Sequence, residues 1–186
     1  MLDAIMSEES VESTSTMHSG IPSFERILVA YDGTEISKRA LSYAAYFSKV
    51  SDSEVVVINV VKSTNGDFKV LPLTIKVNLE GKEEEQPDIA SGESQNAVLQ
   101  EVVKELITTC KAAGLSKKVI YEICTGNPAD EIIRVSNLNR FDLIIMGSRR
   151  IDSKIEVIGS TTRKVTTKVK TPILIVHKQP TYKDEY

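Results

Sequence analysis

The chain lacks tryptophan and has only two cysteines and two histidines among its 186 residues. Cys110 falls on a predicted helix and Cys124 on a predicted strand, which favours two buried thiols over a disulfide, as in a reducing cytoplasm. So few cysteine and histidine side chains predict no zinc site. The longest apolar runs are too short to cross a bilayer, and the first residues lack the basic start and apolar run of a secretory signal. We therefore expect a cytoplasmic protein with no membrane partner.

The charge of the chain is nearly balanced, with 23 lysines and arginines against 26 aspartates and glutamates. This balance produces no overall field that would attract nucleic acid, so no nucleic-acid partner is expected. Hydrophobic residues make up 41% of the chain, enough for one core. We predict one domain at residues 23–178, a disordered leader rich in Ser, Thr and Glu at residues 1–22, and a short tail at residues 179–186.

Short apolar segments recur along the domain, and most of them lack the alternation of a half-exposed strand. Segments with helical periodicity separate them. This order predicts an α/β fold, a doubly wound, five-stranded, mostly parallel sheet with helices on both faces, as in Rossmann-like proteins. The predicted strands are Ile27–Tyr31, Glu54–Val61, Lys118–Cys124, Asp142–Met146 and Pro172–Val176.

A long connection at residues 62–93 separates the second strand from the second helix. Compact domains seldom contain so long a loop without a reason. Apolar residues alternate with others between Leu71 and Leu79, so a short extra strand is an open alternative here. The acidic run Glu83–Glu85 is typical of a solvated loop.

Glycine and hydroxyl residues follow two of the predicted strands and precede the last helix. They lie in Asp32–Thr34 after the first strand, Gly147–Arg150 after the fourth, and Gly159–Thr161 at the helix start. If the first and fourth strands are neighbours, these segments flank one crevice in which a carboxylate can bind ribose and N–H groups can bind phosphate. A turn with a helix cap is the alternative for Asp32–Thr34, and ordinary capping of the last helix is the alternative for Gly159–Thr161.

Three well-known site motifs are missing. No Gly-x-Gly-x-x-Gly follows the first strand, no Gly-x-x-x-x-Gly-Lys-Ser/Thr is present, and no Gly-x-Ser-x-Gly elbow is present. These absences argue against a dinucleotide-binding fold, a P-loop hydrolase and an α/β-hydrolase.

The domain resembles the universal stress protein family from Arg26 to about Lys178. The resemblance is carried by Ile27–Thr34, Gly126–Asp130, Asp142–Arg149 and Thr171–Val176. ATP-binding members of that family carry glycine, two residues, glycine, nine residues, and then glycine with serine or threonine. In this chain Gly147 and Gly159-Ser160 match, Arg150 replaces the second glycine, and only the eight residues 151–158 follow it. A second branch of the family lacks the motif and does not bind ATP.

The resemblance implies a set of nucleotide contacts. Asp32 would bind the ribose, the backbone of Ala30, Tyr31 and Val60 would face the adenine, and Gly147, Gly159, Ser160 and Thr161 would contact phosphates. The Tyr31 ring would either stack on the base or crowd it, and Asn59 replaces a histidine of many members. Arg149 and Arg150 can pair with phosphate oxygens, the alternative being that both are solvated surface residues.

The resemblance also implies a homodimer in which Pro172–Val176 pairs antiparallel with its copy, which would place His177 near the interface. We expect His177 to be a structural or solvated residue rather than a catalyst. The leading expectation is a stress-response sensor or switch that binds an adenine nucleotide, ATP or AMP, with Mg²⁺ accompanying ATP. One alternative is a nucleotide-free interaction module whose partner surface is the 62–93 connection. A slow ATPase is a third alternative, although catalytic residues are not apparent.

Overall fold

The computed structural model describes residues 23–61, 73–79, 93–116, 118–148 and 158–178. The predicted leader and tail, most of the 62–93 connection, and both Arg149 and Arg150 lie outside these residues. The proposed domain limits therefore stay predictions.

Six strands and four helices make up the described part of the chain. The strands are β1 (Arg26–Tyr31), β2 (Glu54–Val61), β3 (Leu73–Asn78), β4 (Lys118–Thr125), β5 (Leu143–Gly147) and β6 (Ile173–Val176). The helices are α1 (Glu35–Ser51), α2 (Glu93–Ala112), α3 (Pro128–Leu138) and α4 (Ser160–Thr166). None of these helices is long and apolar enough to cross a membrane.

All strands join one sheet in the order β3-β4-β2-β1-β5-β6. The pairs among β4, β2, β1, β5 and β6 are parallel, which confirms the mostly parallel, Rossmann-like sheet. The predicted five strands are joined by a sixth, β3, which pairs antiparallel with β4 at one edge. Strand β3 lies between Leu71 and Leu79, where the alternation of apolar residues indicated a short extra strand as an alternative to a loop. Ile75 of β3 is buried in the core, so this alternation reflects a strand with one packed face.

The two faces of the sheet carry separate cores. Ile27 and Val29 of β1 pack in the core beneath α1 and α2, whereas Leu28 between them packs in the core beneath α3 and α4. The side chains of neighbouring residues in a strand point to opposite faces of the sheet. When both faces are covered, every side chain of the strand faces a core and is therefore apolar. This explains the continuous apolar run of β1 and confirms helices on both faces.

Strands β1 and β5 are direct neighbours, with Ala30 opposite Met146 near their carboxyl ends. From β1 the chain builds the sheet toward β2 and β4, and then crosses to β5 and β6 on the other side. The strand order therefore reverses between β1 and β5, and such a reversal opens a crevice at the carboxyl ends of the strands.

Candidate functional site

A cavity of about 500 Å³ lies at the carboxyl ends of β1, β2 and β5. The strand ends contribute Ala30, Tyr31, Asp32, Val60 and Gly147 to its lining. The start of α4 contributes Gly159, Ser160 and Thr161. All eight described residues that the sequence singled out for ligand contact therefore meet at one cavity, and Arg149 and Arg150 lie outside the described residues.

The turn after β1 satisfies much of its own polar surface. The Oδ1 atom of Asp32 accepts hydrogen bonds from the Thr34 N–H at 3.2 Å and from the Thr34 hydroxyl at 2.6 Å. The Thr34 hydroxyl oxygen in turn accepts the Ser37 N–H at 3.3 Å and caps α1. The alternative of a turn with a helix cap is thus confirmed here. Asp32 nevertheless remains exposed at the cavity.

Tyr31 lies at the cavity, but its ring is directed into the core beneath α1 and α2. The residue is 5% exposed, and its hydroxyl has no hydrogen-bond partner among the described residues. Such a ring offers almost no open face for a base to stack on. Its carbonyl accepts a hydrogen bond from the Asn59 amide at 3.3 Å, and Asn59 also lines the cavity. The burial of the ring favours the backbone of residue 31 as the part that would face a ligand.

Gly147 ends β5 where the first turn of α1 crosses it. A Cβ atom at this position would lie 2.8 Å from the Cγ2 atom of Ile36 and 3.4 Å from the Ile36 backbone carbon. The Ile36 side chain can move away only slightly, because the χ1 angle of a β-branched residue is restricted. Glycine at position 147 therefore allows α1 to pack closely against β5. The glycine pattern in the sequence did not reveal this role.

Two hydroxyl side chains connect the end of β5 with the start of α4. The Ser148 Oγ atom accepts the Gly159 N–H at 3.1 Å, and the Thr162 hydroxyl donates to the Gly147 carbonyl at 3.3 Å. The sequence alone predicts no role for Ser148 or Thr162. The signal available was a hydroxyl residue next to the first glycine and another shortly after the second.

The start of α4 differs from the start of α1. Gly159 is the N-cap residue, and no side chain makes a capping hydrogen bond there. Ser160 is exposed and Thr161 is half-buried, and both line the cavity. Gly159 therefore occupies the capping position that the alternative expected of this segment, but no side chain of the segment makes the capping hydrogen bond.

Asp32 is the one charged side chain among the described residues that line the cavity. Lys164 of α4 is paired with Asp130 of α3 at 2.6 Å. Lys38 of α1, next to the lining residue Ser37, is paired with Glu35 at 2.8 Å. No group of three or more acidic, cysteine or histidine side chains that could hold a metal ion occurs in the described ranges.

Both cysteines are buried in the two cores, and neither lines the cavity. Burial raises the pKa of the Cys110 thiol to about 11, and burial also raises the pKa of the Cys124 thiol despite the nearby Arg134 guanidinium. A raised pKa keeps a thiol protonated and weakly nucleophilic at neutral pH. Neither cysteine is suited to be a nucleophile.

Comparison with known proteins agrees with this architecture. Residues 23–177 match the model of the universal stress protein family. Universal stress protein YxiE of Bacillus subtilis (strain 168) is 29% identical over 157 residues, which span 82% of this chain and 99% of that protein. The structure of a universal stress protein in complex with cAMP superimposes with a TM-score of 0.57 at 19% identity, covering 84% of this chain and 98% of that chain. The universal stress protein from Archaeoglobus fulgidus in complex with dAMP gives a TM-score of 0.51 at 15% identity, covering 82% and 97%. Identities this low demonstrate a shared fold only. The family match over most of the chain goes further: this chain belongs to the universal stress protein family.

Proposed function

We propose that the cavity binds an adenine nucleotide, ATP or AMP, and that the protein acts as a stress-response sensor or switch in the cytoplasm. The observation that carries the proposal is the meeting of Asp32, Val60, Gly147 and Gly159 at one cavity where the strand order reverses. Two proteins of the same fold are described in complex with cAMP and dAMP, which are adenine nucleotides.

The cavity divides into parts of different chemistry. Half-buried apolar residues from β1, β2 and α3 suit a flat base, namely Ala30, Val60 and Pro128. The exposed Asp32 carboxylate can accept hydrogen bonds from ribose hydroxyls. Ser160 and Thr161 can donate hydroxyl hydrogen bonds to phosphate oxygens. Because the described lining has no cation, Arg149, Arg150 or Mg²⁺ would supply the charge for a phosphate chain.

Titration calorimetry of the full chain with ATP, ADP, AMP and cyclic AMP, with and without Mg²⁺, tests the proposal. Asp32→Asn should weaken binding by roughly tenfold or more, because hydrogen bonds to a charged acceptor contribute about 1.5–3 kcal/mol. Asp142→Asn is the matched control, since one oxygen of this carboxylate likewise accepts two hydrogen bonds, from the Glu25 and Arg26 N–H groups, but Asp142 lies at the amino end of β5. Absence of heat with every nucleotide at high protein concentration would contradict the proposal.

A nucleotide-free interaction module is the second candidate, favoured by the absence of Lys and Arg from the described lining. It predicts that the purified chain carries no nucleotide and gains no thermal stability from millimolar ATP or AMP. Bound ligand raises the melting temperature by mass action, so a clear increase would exclude this candidate.

We further propose a homodimer through the last strand, with Pro172–Val176 pairing antiparallel with its copy. Strand β6 forms an edge of the sheet and consists of four aliphatic residues, three of them only half-buried. An apolar edge of this kind tends to find a partner. A two-fold axis beside β6 would let the strand pair with its own copy.

The register of β6 suggests a sharp test of this dimer. The Pro172 carbonyl accepts a hydrogen bond from the Ile144 N–H, and the Val176 carbonyl accepts one from the Ser148 N–H. The backbone N–H and C=O groups of the even-numbered residues of β6 therefore point toward β5. Ile175 should then present its N–H to the open edge. Ile175→Pro removes that donor while leaving the bonds to β5, and sedimentation velocity should detect dissociation to monomers. A wild-type chain that sediments as a monomer at high concentration would contradict the dimer.

A further inference from the structure

The end of β5 and the start of α4 are joined by two hydrogen bonds that run in opposite directions. Ser148, next to Gly147, accepts from the Gly159 N–H, and Thr162, shortly after Gly159, donates to the Gly147 carbonyl. Ser148 is 1% exposed and Thr162 is 2% exposed. Each side chain thus binds the backbone of the other segment inside the protein.

Burial makes this pair of bonds costly to lose. A buried donor or acceptor that loses its partner keeps its desolvation penalty, about 1–3 kcal/mol. The Ser148 N–H is also bound, since it donates to the Val176 carbonyl at 2.9 Å. Ser148 is therefore held in place by the edge strand and cannot easily follow a displaced Gly159. The two bonds together fix the distance between Gly147 and Gly159, which face the same cavity.

We propose that Ser148 and Thr162 are positioning residues that hold Gly159–Thr161 where the phosphate-bearing part of a nucleotide binds. This inference rests on the proposed function of the cavity. Asp32, proposed for the ribose, directly follows β1, and Val60, proposed for the base, is on β2; neither takes part in either bond. Loss of these two hydrogen bonds should therefore weaken the contribution of the phosphate to the binding affinity. The contribution of the nucleoside should stay unchanged.

Adenosine and AMP, titrated separately against the full chain, isolate that contribution. Ser148→Ala and Thr162→Val should each weaken AMP binding by roughly five- to tenfold, as expected for one lost hydrogen bond, and change adenosine binding by less than about twofold. Thr162→Ser keeps the hydroxyl and should retain the AMP affinity of the wild type. The double variant should lose little more than either single variant, because both bonds hold the same segment.

Ser48→Ala is the matched control. Ser48 is also a buried serine with a hydrogen bond, from its hydroxyl to the Ala45 carbonyl, but it lies at the far end of α1 from the cavity. Ser48→Ala should change the affinity for neither adenosine nor AMP. Equal weakening of adenosine and AMP in Ser148→Ala and Thr162→Val, or no change in either, would overturn the inference while leaving nucleotide binding intact. A wild-type chain that binds neither ligand would instead overturn the proposed function itself.

Discussion

Two turns face each other across the cavity, and they use similar residues in different ways. In the turn after β1, Asp32 and Thr34 bind each other and Thr34 caps α1. At the start of α4, Ser160 and Thr161 make no capping bond, and the segment is held from outside by Ser148 and Thr162. One turn is shaped by its own side chains and the other by its neighbours. Hydroxyl residues beside a glycine therefore do not identify a ligand-binding turn until the hydrogen-bond partners of those hydroxyls are known.

The glycine in the turn after β1 and the glycine that ends β5 also differ in why the position requires glycine. Gly33 adopts φ +79°, and a Cβ atom there would meet nothing within 4 Å. The position needs glycine for its backbone conformation. Gly147 has no such φ, but its Cβ would collide with Ile36. One glycine is required by the local chain, and the other by a helix that packs against it.

The largest effect expected from this contrast is that of Gly147→Ala. The 2.8 Å approach to the Ile36 Cγ2 atom should lower the free energy of unfolding by about 1–3 kcal/mol, the usual cost of overpacking. Urea unfolding of Gly147→Ala in the wild-type and Ile36→Ala backgrounds measures it. The cost should shrink when Ile36 is truncated, since the colliding methyl group is gone. An equal cost in both backgrounds would show that Ile36 is not the reason for glycine.

Gly33→Ala should have a smaller effect of different origin. A left-handed conformation costs a residue with a Cβ atom about 1–2 kcal/mol, and no neighbour adds to that cost here. Asparagine tolerates this conformation better, so Gly33→Asn should recover part of the loss. The same urea experiment should give a cost that does not depend on Ile36. A dependence on Ile36 would mean that the two turns are coupled through α1.

The mostly parallel sheet could be predicted because burial on both faces leaves a strong trace in the sequence, whereas the pairing of β1 with β5 was only a condition of the predicted crevice. The uninterrupted run from Ile27 to Tyr31 has no other simple explanation, and the Asn127-Pro128 start of α3 is equally local, with the Asn127 side chain accepting the Ala129 and Asp130 N–H groups. The place of β3 could not be predicted with the same force. Alternating residues show that one face is buried, but they do not choose the partner strand or its direction.

The candidate site could be predicted only as a set of residues at strand ends. Asp32, Gly147 and Gly159 meet as the topology requires, because carboxyl ends of parallel strands share one edge. The roles of Ser148 and Thr162 depend on how β5 and α4 are placed, and no periodicity encodes a hydrogen bond across that distance. The burial of the Tyr31 ring likewise follows from α1 and α2 covering its face of the sheet.

The smallest effects should separate the two helix starts. Thr34→Ala removes the cap of α1 and should cost about 1 kcal/mol of unfolding free energy, with Thr34→Ser restoring most of it. Ser160→Ala removes a hydroxyl that caps nothing and should change the stability by less than about 0.5 kcal/mol. Thermal and urea unfolding of the three variants without ligand measure both values. If Ser160→Ala cost as much as Thr34→Ala, Ser160 would be engaged in holding α4, and its hydroxyl would have to break that bond before it could reach a phosphate. A negligible cost leaves the hydroxyl able to bind a ligand without loss of stability, which is the property that distinguishes the α4 turn from the turn after β1.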